Sequence, residues 1–299
     1  MSGRSMPGDG ILILDKPRGP SSHQVAAWAG AMLGARVGHA GTLDPGVSGV
    51  LVVMLGKTRR LAPVLLAEDK EYIALMRLHG DAPEERVKEA AADFTGRIYQ
   101  RPPRRSAVAR NLRIRTVKEL EVLEVQGRQV LLRVSCDAGT YVRSLCHHLG
   151  LALGTGGHMQ ELRRTRSGSF SEAQAVTLHE LSDACSRFRE GEPNALAGSI
   201  LPVESALSGL PRLVIRSTAV DAICHGAALA GAGVLSQEPF RKGALVAVMT
   251  GSGALVCLAE TLADSSAQPP GTPGLVAAPR TVFIAPGAFP RGWKKRSGR

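Results

Sequence analysis

Short apolar runs alternate with helically spaced apolar stripes along the 299-residue chain, which predicts a mixture of strands and helices. Ile11 to Leu14 reads as a buried strand that leaves through the turn Lys16-Pro17-Arg18-Gly19-Pro20. Behind the caps Ser21 and Ser22, the residues Val25, Trp28, Ala29, Met32 and Leu33 recur at helical spacing, so a helix with one apolar stripe follows. Val50 to Leu55 and Glu71 to Leu78 predict two more buried strands. Pro83 opens a short helix with Val87, Ala90, Ala91 and Phe94 inward, and a basic stretch runs from Arg97 to Arg115. Glu119 to Val125 and Gln129 to Cys136 form a predicted hairpin across Gln126-Gly127. Asp137-Ala138-Gly139-Thr140 then turns into a helix from Tyr141 to Leu153, with Val142, Leu145, Leu149 and Ala152 facing the core. Thr177-Leu178-His179-Glu180 is a capping box that starts another helix, with Leu181 and Cys185 inward.

The pattern loosens after Gly191, where Pro193, Pro202 and Pro211 punctuate the chain. Short strands follow near Leu213 to Ile215, Ala244 to Met249 and Ala254 to Leu258, the last two joined by Thr250-Gly251-Ser252-Gly253. Ser265 to Gly274, with three prolines, reads as a flexible surface loop. Two domains are therefore expected, residues 1–210 and a small β-rich domain at 211–299 that ends in the basic tail Arg291 to Arg299.

Charge narrows the class of partner. Lys and Arg number 37 against 26 Asp and Glu, a net +11 with a pI near 10.0. That favours an anionic partner, with RNA, DNA and acidic membrane all open, though a basic surface also serves solubility alone. The residues Met1 to Gly10 lack an apolar signal core, and Val50 to Leu55 is far too short to span a bilayer, so a soluble cytoplasmic protein is expected. Cys136, Cys146, Cys185, Cys224 and Cys257 stand singly and read as buried reduced thiols. His147 and His148 have no third ligand at metal spacing, and neither a Walker sequence nor a dinucleotide fingerprint occurs, so no metal or cofactor is expected.

Three segments offer chemistry. Within Gly38 to Gly49, one carboxylate, Asp44, sits between Leu43 and Pro45 in a loop feeding a core strand. Judged by itself it reads either as a turn aspartate or as a nucleophile. Gly139-Thr140-Tyr141-Val142-Arg143 places an arginine in the first turn of a helix, where it is either an exposed helix charge or the partner that keeps a nucleophilic carboxylate ionised. Lys70-Glu71-Tyr72 starts a strand with a tyrosine that either packs there or stacks on an extruded base.

Together, and in this order, these segments resemble the pseudouridine synthases of the TruB and dyskerin type. The likeness includes Leu14-Asp15-Lys16-Pro17 with Ser21-Ser22-His23, then Gly38 to Asp44, Gly139 to Arg143, and Glu161-Leu162-Arg163-Arg164. It implies Asp44 as nucleophile, Tyr72 as the base-stacking tyrosine and Arg143 as the arginine paired with the nucleophile. It further implies that His39 helps to displace the target base, that Leu162 and Tyr141 contribute to the uridine site, and that Lys16 and Pro17 support the loop at that site. Arg101-Pro102-Pro103, Ser106-Ala107-Val108 and His147 to Gly154 are similar to the dyskerin branch, the catalytic subunit of archaeal box H/ACA ribonucleoproteins. The implied fold is α+β, a mixed, mainly antiparallel central sheet with flanking helices plus a C-terminal β-barrel PUA domain. The implied partners are a guide RNA, a substrate RNA and three small protein subunits. Ala40 stands where the family carries glycine or serine.

Turning uridine into pseudouridine exchanges one glycosidic bond for another without a second substrate, which suits side-chain catalysis with no cofactor. Phosphate contacts are expected from Arg101 to Arg115, from Arg163, Arg164 and Arg166, and from Lys294, Lys295 and Arg296. Two other readings compete: a stand-alone tRNA synthase of the TruB type, and a non-catalytic RNA-binding protein.

Overall fold

The computed structural model describes residues 8–102 and 111–290. Pro103, Ser106-Ala107-Val108, part of the expected phosphate-contact stretch, and Lys294, Lys295 and Arg296 lie outside them. The chain divides into two compact units, Met1–Pro202 and Val203–Arg299.

In the first unit, strand β1 (Gly10–Lys16) leads into helix α1 (Ser22–Leu33). Ser21 caps α1 by accepting from the Gln24 backbone N–H while the Gln24 side chain returns to the cap, and Gly34 closes the helix in the left-handed region. Val25, Ala29 and Leu33 bury their stripe, the Val and Leu side chains contributing roughly 1.5–3 kcal/mol each. Trp28, expected in that stripe, is 46% exposed and lies outside the packed core. The chain continues through β2 (Val37–Ala40), β3 (Ser48–Leu55), α2 (Ala62–Ala67), β4 (Lys70–Leu78) and α3 (Glu84–Ala92). Next come β5 (Gly96–Gln100), β6 (Arg113–Gln126), β7 (Gln129–Cys136), α4 (Val142–Ala152), β8 (Gly157–Ser167) and β9 (Phe170–Ser171). Helix α5 (Leu178–Arg189), capped by Thr177 and Glu180, and β10 (Ile200–Leu201) complete the unit. Ala152, expected inward on α4, is exposed, and Cys146 takes a core position instead.

The strands form one sheet in the order β10-β1-β3-β8-β4-β7-β6-β5, with β2 on β3 and β9 on β8. Every pairing is antiparallel except β3 with β8. That parallel contact covers only Ser48 with Arg163 and Gly49 with Arg164, so the sheet consists of two halves joined at a short seam. Each half has its own core. Helices α1 and α5 pack Val25, Leu33 and Leu181 on Leu12, Leu14, Leu51 and Val53, whereas α3 and α4 pack Val87, Leu145 and Leu149 on Met76, Leu132 and Val134.

The second unit holds β11 (Arg212–Ile215), α6 (Ser217–Cys224), β12 (Leu229–Ala230), β13 (Val234–Gln237), β14 (Leu245–Thr250), β15 (Leu255–Thr261) and β16 (Leu275–Val282). They form a barrel-like sheet in the order β12-β16-β15-β14-β11-β13, around Leu213, Ile215, Val246, Val248 and Val256. The segment Ser265 to Gly274, expected to be flexible, is tied down. Gln237 Nε2 donates to the Ser265 and Gln268 carbonyls, Gln268 Nε2 donates to Thr272 Oγ1, and the Gly271 N–H donates to the Gly231 carbonyl. All five cysteines are free thiols, four of them buried and Cys224 only half-buried.

Candidate active site

The loop between β2 and β3 carries Asp44, and polar groups from four directions hold it. Asp44 begins a tight turn closed by the Val47 N–H on its carbonyl at 3.0 Å. Ser22, at the start of α1, accepts from the Leu43 N–H at 2.8 Å and donates to the Leu43 carbonyl at 2.9 Å. The Gly19 N–H donates to the Pro45 carbonyl. Lys16 Nζ donates to the carbonyls of Pro17, Pro45 and Val47 at 2.9, 3.3 and 2.8 Å. Arg164, from β8, donates to the Gly41 carbonyl at 2.9 Å and the Val50 carbonyl at 2.7 Å. A Cβ on Gly49 would come within 2.2 Å of the Arg164 carbonyl oxygen, and its φ of +101° favours glycine, so the close approach of β3 to β8 at this point depends on Gly49.

Arg143 lies in the first turn of α4, and its guanidinium forms an ion pair with Asp44. Gln100 braces the turn before that helix, its side chain bonding both the N–H and the carbonyl of Tyr141. The pair stands at the mouth of a pocket of about 380 Å³. The pair is open to solvent, the Asp44 side chain being 59% exposed and that of Arg143 51%. Tyr72, Tyr141, Leu162, Met159 and Leu66 supply the pocket's apolar wall, and Lys70 and Arg164 also line it.

Beneath the mouth lie three buried cations. Arg164 is 1% exposed, Lys70 4% and Lys16 0%. Lys70 Nζ donates to the Leu65 and Glu68 carbonyls at 3.0 and 2.6 Å, and burial, reinforced by the nearby Arg164, lowers its pKa to about 8. Burial likewise depresses Lys16, opposed by attraction to Asp44. Arg164 stands directly opposite Tyr72 across β4 and β8. Burial raises the Tyr72 pKa while Arg164 pulls it down.

Of the residues singled out from the sequence, Asp44, Arg143, Tyr72, Tyr141 and Leu162 converge on this pocket. Lys16 is sealed beneath the loop and braces it rather than touching a substrate. Pro17 is exposed outside the pocket wall. His39 on β2 also stands outside that wall, in an edge contact with His23 at 4.7 Å between ring centroids. Neither of its buried ring nitrogens has a hydrogen-bond partner among the described residues, and burial, with His23 adding to it, lowers its pKa. The phosphate contact expected of Arg164 on β8 is corrected. Arg164 points inward, and Arg163 is committed to Asp15, at 3.0 Å for each of two bonds, and to Glu172. Gln100 and Lys70 were missed by the sequence reading, since an isolated Gln and a Lys before a strand carry no distinguishing pattern.

Comparison with known proteins decides the family. Residues 31–142 match the TruB family pseudouridylate synthase N-terminal domain, 143–208 the tRNA pseudouridylate synthase B C-terminal domain, and 211–277 the PUA domain. The chain is 48% identical over 290 residues to the probable tRNA pseudouridine synthase B of Methanosarcina barkeri, covering 96% of this chain and 86% of that one. The chain belongs to the TruB family of pseudouridine synthases. These enzymes are RNA isomerases, and this TruB-family member carries a PUA domain. Among solved structures it is similar to a chain of an H/ACA RNP bound to a substrate RNA containing 2′-deoxyuridine, with 44% identity and a TM-score of 0.89 over 95% of this chain and 88% of that one. It is also similar to a chain of the archaeal box H/ACA sRNP Nop10-Cbf5 complex, with 42% identity and a TM-score of 0.87 over 95% and 89%. No described helix of this TruB-family chain is long and apolar enough to cross a membrane.

Proposed function

We propose that this chain isomerises uridine to pseudouridine with Asp44 as nucleophile, as the cytoplasmic catalytic subunit of a guide-RNA-directed box H/ACA particle. The observation that carries this reading is the Asp44–Arg143 ion pair at the mouth of a pocket of base-accommodating size, about 380 Å³. Arg143 holds the carboxylate aimed, Tyr72 stacks on the extruded base, and Leu162 with Tyr141 confines it once it is detached. His39, on β2 beside the Asp44 loop, helps to displace the base from its stack. Lys16 and Pro17 support the loop. Residues 1–210 carry the catalysis, and residues 211–299 grip the guide RNA through the PUA fold. Its partners are then a guide RNA, a substrate RNA and three small subunits, and the solved relatives found with a substrate RNA and with Nop10 support the substrate RNA and one such subunit.

The test is reconstitution with and without a guide RNA, scoring pseudouridine in a matched target. Wild type is expected to convert the target only with the guide, and Asp44→Asn to lose about 10⁴-fold or more of that activity. Unchanged conversion by Asp44→Asn would sink the assignment of the nucleophile. The name of the Methanosarcina barkeri relative supports a second reading, direct action on tRNA, and guide-free conversion of an unmodified tRNA would establish it.

A further inference from the structure

Several exposed arginines of the first unit answer a carboxylate: Arg18 pairs with Glu161, Arg128 with Asp81 and Arg187 with Glu192. One cluster of cations is different. A pocket of about 430 Å³ beside the end of β3 is lined by Arg36, Lys57, Arg59, Arg60, Gly56 and Asp9. All four cations are exposed, and the one carboxylate, Asp9, accepts the Lys57 backbone N–H at 2.5 Å. Among the described residues the side chains of Arg36 and Lys57 have no hydrogen-bond or ion-pair partner, and Arg59 spends only its Nε, on the Gly56 carbonyl at 3.0 Å.

The backbone behind these side chains is tied in place. A 3₁₀ helix, Gly56–Leu61, follows β3, and with three residues per turn it buries Thr58 and Leu61 while Lys57, Arg59 and Arg60 face outward. Thr58 Oγ1 accepts from the Gly10 N–H at 3.0 Å, and the Gly56 N–H donates to the Arg36 carbonyl at 2.9 Å. The stem of Arg59 lies over Gly38 of β2, where a Cβ would stand 3.5 Å from its Cγ and Cδ. Gly56 has a φ of +55°, and a Cβ there would fall 2.1 Å from the Gly8 carbonyl oxygen, so the close approach of Gly8 and Asp9 to this turn depends on glycine. Four like charges are thereby gathered round one recess that holds a single acid, and their mutual repulsion is relieved when an anion enters.

This recess is remote from the reaction centre. The Asp44 loop enters β3 at Ser48 and the recess opens just past Leu55, so the two lie at opposite ends of the strand, about 25 Å apart at about 3.3 Å per residue. A single nucleotide does not span that distance. We propose that Arg36, Lys57, Arg59 and Arg60 form a second RNA contact, a pocket for backbone phosphates of the RNA whose uridine lies at Asp44, well outside the target nucleotide. The side chains suit that ligand, since a guanidinium forks onto two phosphate oxygens and an ammonium supplies a mobile point charge. Phosphate contacts carry no sequence information, so this one positions the RNA and leaves the choice of uridine to other parts of the assembly. The inference rests on the RNA isomerase activity of the family and holds with or without a guide RNA.

The test uses the full chain with two probes, an unmodified tRNA and a guide RNA paired to its target, and follows whichever wild type binds more tightly. A double variant, Arg36→Gln with Lys57→Gln, has its folding checked by thermal melting. Removing about two phosphate contacts is expected to reduce the slope of log K against log salt concentration by about 1.4–1.8 and to weaken binding about tenfold in 0.1 M salt. The single-turnover rate at saturating RNA should stay within about twofold of wild type. An unchanged salt slope overturns the proposal, and so does a rate that falls at saturation as well, because the recess would then serve the reaction centre. A photo-crosslinking amino acid in place of Lys57 is expected to label the RNA, and labelling of a protein subunit or of no RNA overturns the assignment. Inorganic phosphate and ATP, titrated by calorimetry, should bind no tighter than millimolar; micromolar binding of either, lost in the variant, would make the recess a small-phosphate site and overturn the RNA contact. A wild type that converts neither probe counts against the pseudouridine synthase reading, while the crosslink and the salt slope still decide the recess.

Discussion

The mouth and the floor of the pocket use charge in opposite ways. At the mouth, Asp44 and Arg143 form a pair more than half exposed, and a pair so wetted contributes at most about 1 kcal/mol to stability. On the floor Lys70 and Arg164, and beneath the adjoining loop Lys16, are almost completely buried, and backbone carbonyls supply most of their bonds. Losing one of those cations strands several carbonyls at about 1–3 kcal/mol each. Chemistry and stability are thus separated within one site. Mouth substitutions should change rate and leave the fold alone, whereas floor substitutions should do the reverse.

The sharpest way to break that contrast is at the seam. Gly49→Ala puts a methyl 2.2 Å from the Arg164 carbonyl oxygen at a φ of +101°, and a loss of about 3 kcal/mol or more is expected in urea unfolding. A loss under about 1 kcal/mol would mean that the seam yields and that the floor is soft. Next in size, Arg143→Gln should cost about 10²–10³-fold in single-turnover rate, with a change in unfolding free energy of less than about 1 kcal/mol. A large stability loss there would erase the distinction between mouth and floor.

The smallest effect is the most specific. The pKa of Lys70 falls from 10.5 to about 8 on folding, so between those values the unfolded chain holds more protons and stability rises with pH. Below pH 8 the full penalty of the buried ammonium is present. Lys70→Met should remove this rise, flattening urea midpoints measured from pH 8 to 10.5 relative to wild type by up to about 3 kcal/mol, the equivalent of that shift. Equal slopes would show that Lys70 stays hydrated.

Much of the first unit was legible because its signals are local. The capping box at Thr177 and the serine cap before α1 each announce a helix, and the apolar runs of β1 and β3 announce core strands. Strand β8 was not legible. Its sequence Gly157 to Ser167 is polar and shows no alternation, yet it runs through the middle of the sheet. It can do so because long-range partners satisfy its charges: Asp15 and Glu172 hold Arg163, while the carbonyls of Gly41 and Val50 hold Arg164. Hydropathy treats those arginines as surface residues, which is why Arg164 was expected on a phosphate. Asp44 and Arg143 lie 99 residues apart, and their pairing follows from the topology and not from either local pattern.

The hydrogen bonds on the Asp44 loop also bear on timing. Ordering a flexible residue costs about 1–2 kcal/mol of conformational entropy, and a mobile nucleophile would meet that cost again with every substrate. Here Ser22, Lys16, Gly19 and Arg164 fix the loop from outside it. The carboxylate is set in place once, when the chain folds, and each uridine that arrives has only its own motion to lose.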